Sequence, residues 1–263
     1  MDDRGGAPGG DSRLGGWGNR RNVQMSHRFK IASPGLIWTQ LLIFATAAIV
    51  TFHAANAPAR AEAAQDKQEI VILSFGDSLM AGYQIPIDKS FPAQLEVALR
   101  QKGYPVRVVN AGVSGDTAAN GLARLDWSLN EKVDGVIVEF GANDALRGID
   151  PKVTEPSLDE ILKTLKEKHI ELLVAGMEAP RNWGSGYDEA FRQMYPRLAA
   201  KYDALLYPFI LKDVATVRSL NLEDGLHPSS EGVAVMVRNI LPEVEKLIAR
   251  IREKRAMTRV ELP

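Results

Sequence analysis

The sequence predicts an α/β domain built on a parallel sheet with helices on both faces. Three observations carry that expectation. From Glu69 onward, short runs rich in Val, Ile and Leu alternate with segments of helical periodicity. The alternation continues to residue 252 without an internal repeat, a low-complexity linker or a second composition zone, so one domain suffices. The segments that concentrate Gly, Ser, Asp and Asn directly follow apolar runs, where a parallel sheet presents its ligand-binding edge.

Each element has its own signal. Residues 70–75 form a β-branched run that reads as a buried strand, and 106–109, 136–140 and 171–175 repeat the pattern. A shorter apolar run spans 204–209. Between them, 91–102 has helical spacing, with Leu95, Val97, Ala98 and Leu99 clustered and Gly103 as a stop signal. Helices are also predicted at 117–129, 158–169, 187–202 and, as a long closing element, 231–252. Right-handed crossovers then bring every strand's carboxyl end to one edge. The domain is assigned to 69–253, with 254–263 a charged tail expected to fray.

Composition narrows the function. The chain has 263 residues, 45% hydrophobic and 25% charged, which is the average for a globular protein with a packed core. The formal net charge is -1, and no basic stripe with interleaved aromatics points to nucleic acid. Cysteine is absent, which excludes disulfides, thiolate metal sites, a cysteine nucleophile and a cysteine-linked lipid anchor.

The first 68 residues stand apart. Residues 1–24, rich in Gly, Asp and Arg, read as disordered or as an over-extended start ahead of Met25. Residues 25–61 carry the three parts of a secretory signal peptide: a basic start at His27, Arg28 and Lys30, an uncharged stretch over 31–59, and an A-x-A exit at Ala59-Arg60-Ala61. The alternative is an uncleaved anchor facing the periplasm, since the uncharged stretch is long enough to span a bilayer of ~30 Å. Residues 62–68 read as a linker, and a bacterial periplasm is the expected location, with secretion its close variant. Without residues 1–61 the remainder is mildly acidic, so it is not built to hold anionic polymers by bulk charge.

The residues able to do chemistry can be reached by elimination. Phe75-Gly76-Asp77-Ser78-Leu79 ends the first strand, and a serine on a strand-to-helix turn projects its hydroxyl at the sheet edge. The following helix N-terminus favours a developing oxyanion there; the competing reading is a Ser that only caps the helix. A serine hydroxyl needs a base. Of four histidines, His27 and His53 fall in the leader. His169 ends a helix, where a cation suits the dipole. His227 sits in Asp224-Gly225-Leu226-His227-Pro228, a short loop suited to presenting a ring rigidly. Asp224, three residues earlier, can accept the imidazole Nδ1 proton, or simply form a turn. Further oxyanion donors are offered by the Gly115 amide in Ser114-Gly115-Asp116-Thr117 and by the Asn143 side chain in Gly141-Ala142-Asn143-Asp144; either segment also reads as a turn and helix cap.

Taken together, Gly76-Asp77-Ser78-Leu79, Gly115, Gly141-x-Asn143-Asp144 and Asp224-x-x-His227 stand in the order of the four blocks of the SGNH-hydrolase (GDSL) superfamily. The chain resembles most its bacterial thioesterase I/lysophospholipase-like arylesterases, over roughly residues 69–251. The resemblance implies a three-layer α/β/α, flavodoxin-like domain with a five-stranded parallel sheet, and no metal or cofactor. It implies Ser78 as nucleophile, His227 as base and acid, Asp224 as its orienter, and an oxyanion hole from the Ser78 and Gly115 amides and the Asn143 side chain. The expected partner is a small ester or lipid: an aryl ester, a short to medium acyl ester, an acyl thioester or a lysophospholipid. Residues 178–183, Glu-Ala-Pro-Arg-Asn-Trp, depart from a more apolar loop in that subgroup, which bears on acyl preference. The rival readings are a polysaccharide O-acetyl esterase or a transacylase with the same machinery, and a flavodoxin-like anion-binding module that performs no catalysis.

Overall fold

The computed structural model describes residues 68–260. The expectations for residues 1–24, for the leader at 25–61 and for all of the linker but Gln68 lie outside the described residues.

Five parallel strands form one sheet in the order β2-β1-β3-β4-β5. β1 (Ile70–Gly76) pairs with β2 (Val106–Gly112) on one side and β3 (Gly135–Glu139) on the other; β4 (Glu171–Ala175) and β5 (Leu205–Tyr207) extend the sheet. A parallel strand covered on both faces must be apolar along its length. β3 is buried at every position, and β1 at all but Val71. This strand order reverses direction between β1 and β3, and the crevice at such a switch point is where doubly wound sheets bind ligands.

Two helical layers cover the sheet. α2 (Phe91–Gln101) packs on α8 (Ser230–Val260), and α8 also lies along β3, β4 and β5. On the other side α3 (Ala118–Ala123) packs on α6 (Pro151–Glu167), and α6 on α7 (Ser185–Lys201). The core between the layers is dominated by Val, Ile, Leu and Phe, among them the wholly buried Phe75, Phe91 and Phe140.

Several elements differ from expectation, each for a local reason. The helix expected over 117–129 is two, α3 and α4 (Leu125–Ser128), because Arg124 leaves helical geometry at φ −110°. Its guanidinium is drawn inward to the Gly76 and Ala111 carbonyls, at 2.9 and 3.0 Å. α6 begins at Pro151 rather than 158. Asp150 caps it by accepting the Lys152 amide, and Pro151 occupies the first helical position, where its missing N–H costs nothing. The tail expected to fray from residue 254 instead continues α8 to Val260. Lys254 reaches Glu171 at 3.0 Å and Arg255 reaches Asp134 at 2.7 Å, which pins the charged turns back onto the sheet.

Candidate active site

The site is assembled from four loops at the carboxyl edge of the sheet. After β1 the chain turns at Asp77 into α1 (Ser78–Ala81), a single helical turn. Asp77 caps it by accepting the Leu79 amide at 3.0 Å, which leaves Ser78 at the first helical position. α1 is a single turn, so the positive charge it offers at Ser78 is that of the unpaired amide at its N-terminus. Gly76 is required by close packing and not by a positive φ, since a Cβ there would lie 2.5 Å from the Glu139 carbonyl and 2.6 Å from the Glu139 Oε2.

The second loop joins β5 to α8. An antiparallel bridge between Asn221 and Pro228 closes it, and the Leu222 amide donates to the His227 carbonyl at 2.8 Å. Inside this hairpin the Asp224 Oδ1 accepts the amides of Leu226 and His227 at 2.9 and 3.0 Å. The Asp224 Oδ2 lies 2.7 Å from the His227 Nδ1, and the His227 Nε2 lies 3.0 Å from the Ser78 Oγ. Serine, imidazole and carboxylate thus form one hydrogen-bonded row across a separation of 149 residues in sequence. The His227 amide first, then its ring and the Leu226 amide, hold the Asp224 carboxyl down at about 2 against a smaller cost of burial. An ionised Asp224 makes Nδ1 the protonated nitrogen, so Nε2 is left to accept from Ser78. The ring of Tyr83 lies against the imidazole with centroids 4.3 Å apart.

The third and fourth loops follow β2 and β3. Gly115 has φ +88°, a conformation open to glycine and costly for other residues. Its carbonyl accepts from Arg147 at 2.9 Å, which directs the peptide outward there, while its amide and that of Ser78 make no hydrogen bond among the described residues. The Asn143 Nδ2 donates to the Asp77 Oδ2 at 3.1 Å and to the Asp116 carbonyl at 3.0 Å. Behind these loops Arg124 pairs with Asp116 at 2.6 Å and stacks over the Phe75 ring, 4.6 Å from its centroid.

Ser78, Asn143 and His227 open onto a cavity of about 710 Å³. Its walls are mostly apolar: Leu79, Ala145, Leu146, Met177, Ala179, Pro180, Phe209, Leu211 and Leu226, with Glu178 and Asn221 among the polar exceptions. His169 takes no part. It terminates α6 with φ +58°, and its carbonyl accepts from Lys254.

Ser78, His227 and Asp224 are therefore joined in one row, and Asn143 stands beside them, bonded to Asp77 and to the residue after Gly115. Sequence reasoning missed Arg124, Tyr83 and the buried pair of Asp77 and Glu139. Arg124 and Tyr83 carry no distinguishing pattern, but Glu139 interrupts an apolar strand with a charge, and that was a readable signal.

Residues 74–235 match the GDSL-like lipase/acylhydrolase family. The chain is 39% identical over 185 residues to the arylesterase of Vibrio mimicus, covering 70% of this chain and 92% of that protein. It is 36% identical over 178 residues to thioesterase 1/protease 1/lysophospholipase L1 of Escherichia coli strain K12, covering 67% and 84%. Among solved structures it resembles AlinE4, an SGNH-hydrolase family esterase, at 45% identity and a TM-score of 0.58, covering 68% of this chain and 96% of that one. It likewise resembles TesA, at 35% identity and a TM-score of 0.64, covering 68% and 99%. With the switch-point serine, its imidazole and its carboxylate in one row, this similarity establishes the chain as a member of the GDSL-like lipase/acylhydrolase family and as a serine ester hydrolase.

Proposed function

We propose that the enzyme cleaves carboxylic esters through an acyl-enzyme on Ser78, with His227 as base and then acid, and Asp224 as the group that orients it. The observation that carries this is the unbroken row at 3.0 and 2.7 Å beside an apolar cavity. The Ser78 Oγ attacks the ester carbonyl as its proton passes to the His227 Nε2. The imidazolium so formed is stabilised by the ionised Asp224, and it returns the proton to the departing alcohol. Water then enters on the same path and releases the acid.

The tetrahedral oxyanion falls to the free amides of Ser78 and Gly115 and to the Asn143 Nδ2. In the resting site both Asn143 protons are engaged, one by the Asp77 carboxylate and one by the neutral Asp116 carbonyl. A charged acceptor binds an N–H roughly twice as strongly as a neutral one. The bond to Asp116 is therefore the one that yields to the oxyanion, while the bond to Asp77 holds the amide in place.

The apolar walls favour an acyl chain over a sugar, which supports short to medium acyl or aryl esters ahead of acetylated polysaccharides. The sequence further supports export to a bacterial periplasm, by the basic start, uncharged stretch and A-x-A exit of residues 25–61. Hydrolysis of p-nitrophenyl esters of increasing chain length tests the substrate reading. Turnover is expected to peak above acetate and to vanish in Ser78→Ala; a preference for acetylated sugars over every acyl ester rejects it. N-terminal sequencing of the protein from a periplasmic fraction tests export. A chain starting at Glu62 is expected, and a start ahead of residue 31 contradicts it.

A further inference from the structure

One buried acid has no task in that mechanism. Glu139 ends β3 and has no exposed surface. Its Oε2 accepts the Asp77 amide at 3.3 Å, and its Oε1 has no hydrogen-bond partner among the described residues. The charged group it meets is a second buried carboxyl, that of Asp77. Two carboxylates in contact inside a protein cannot both ionise, so the pair keeps a proton. The partners decide where it sits. Asp77 accepts from Leu79 and from Asn143, two donors that favour its charged form. Apart from the Asp77 carboxyl itself, Glu139 meets only the single long bond from the Asp77 amide, an environment for a neutral acid.

From this geometry we infer that Glu139 is a positioning residue for ester hydrolysis: a neutral carboxylic acid that donates its proton to Asp77 and so fixes both the Asn143 amide and the turn bearing Ser78. The inference rests on the acyl-enzyme reading above, because it acts through groups assigned there. Asp77 is the hub. One of its oxygens caps α1, and the other holds Asn143. Without a donor behind it, Asp77 is a buried carboxylate held in place only by its bonds from Leu79 and Asn143. Gly76 keeps this contact possible, since a side chain there would occupy the place of the Glu139 Oε2. The remaining groups whose charge reaches the pair are Tyr195, below it on α7, and His227, across the site; no lysine or arginine pairs with either acid among the described residues.

The test compares Glu139→Gln with Glu139→Met, using a p-nitrophenyl ester and rates normalised to titrated active sites. Gln keeps a neutral donor toward Asp77 and an acceptor for its amide, and kcat is expected within about threefold of wild type. Met fills similar volume but offers neither. Its kcat is expected to fall roughly tenfold to a hundredfold, the scale of a small misplacement in an active site, with KM within about twofold. Its Tm is expected to be unchanged or higher, because buried polar atoms have been removed. A role in folding alone would lower Tm and leave the rate per active site intact. A Met variant with wild-type kcat overturns the inference, and so does a folded Gln variant as slow as the Met variant. Should the Met variant fail to fold, a folded but inactive Gln variant still overturns it. Ser78→Ala is run alongside: its survival as an active esterase removes the acyl-enzyme reading itself, whereas an inert Ser78→Ala beside an unimpaired Met variant removes only the role of Glu139.

Discussion

At the scale of the residue, the site depends on which groups are free to donate and which are held. Asp224 stays ionised down to about pH 2, because the His227 amide and ring stabilise its charge. The acid limb of kcat/KM is therefore not expected to follow protonation of Asp224. His227→Ala should abolish turnover, because Ser78 then lacks its base. A His227→Ala variant with near wild-type kcat contradicts His227 as base. Asn143 carries the second prediction at this scale. Asn143→Ala removes one oxyanion donor, which typically costs ~2.7–4 kcal/mol, or about 10²–10³ in kcat. KM should change little, because the ground-state carbonyl gains less from that bond than the oxyanion does. A loss confined to KM contradicts the assignment.

At the scale of the element, most of the strands and helices were legible because burial on both sheet faces forces long apolar runs. β4 was expected at 171–175 and is found there; β1 extends one residue further, to Gly76. The errors cluster where a polar side chain overrides periodicity. Two prolines between 151 and 156 concealed the start of α6, although one sits at the N-terminal position that tolerates it. Arg124 divides a helix that periodicity alone would have continued. That arginine ties β1, β2 and the Gly115 loop together through Gly76, Ala111 and Asp116. Arg124→Met would leave Asp116 and two carbonyls without their partner in a largely buried site. It is expected to cost roughly 3–5 kcal/mol of stability and to slow turnover, since the Gly115 loop loses its tether. Urea unfolding and kcat measured on the same samples check this; a stable variant with normal kcat contradicts it.

At the scale of the whole molecule, the fold keeps two carboxyl groups under the nucleophile at a cost in stability. Burial raises Asp77 to about 6 and pushes Glu139 well above the usual carboxylate range, and Asp77 beside it adds to the effect. Both folded-state values exceed the unfolded ones of ~4. The folded protein then retains protons that the unfolded chain has released, so this pair's contribution to stability falls as pH rises from ~4 through about 6 and beyond. Asp224 works in the opposite sense, but its window lies below ~4. The free energy of unfolding is thus expected to decline between pH 5 and 8 more steeply in the wild type than in Glu139→Gln, and parallel curves contradict the pairing. Of this arrangement only the charge of Glu139 in an apolar strand was legible beforehand, because the pairing of two buried carboxyls has no spacing or motif of its own. Ser78, Asp224 and His227 were legible, because so few histidines exist to serve a serine.

The most direct test of the central claim is peptide mass mapping after reaction with a p-nitrophenyl dialkyl phosphate, which reacts at an activated serine. One dialkylphosphoryl group per chain is expected, on the peptide containing Ser78, with activity lost in proportion to labelling. Full inactivation with the adduct on a different residue, or a Ser78 that remains unlabelled while activity disappears, would contradict the account.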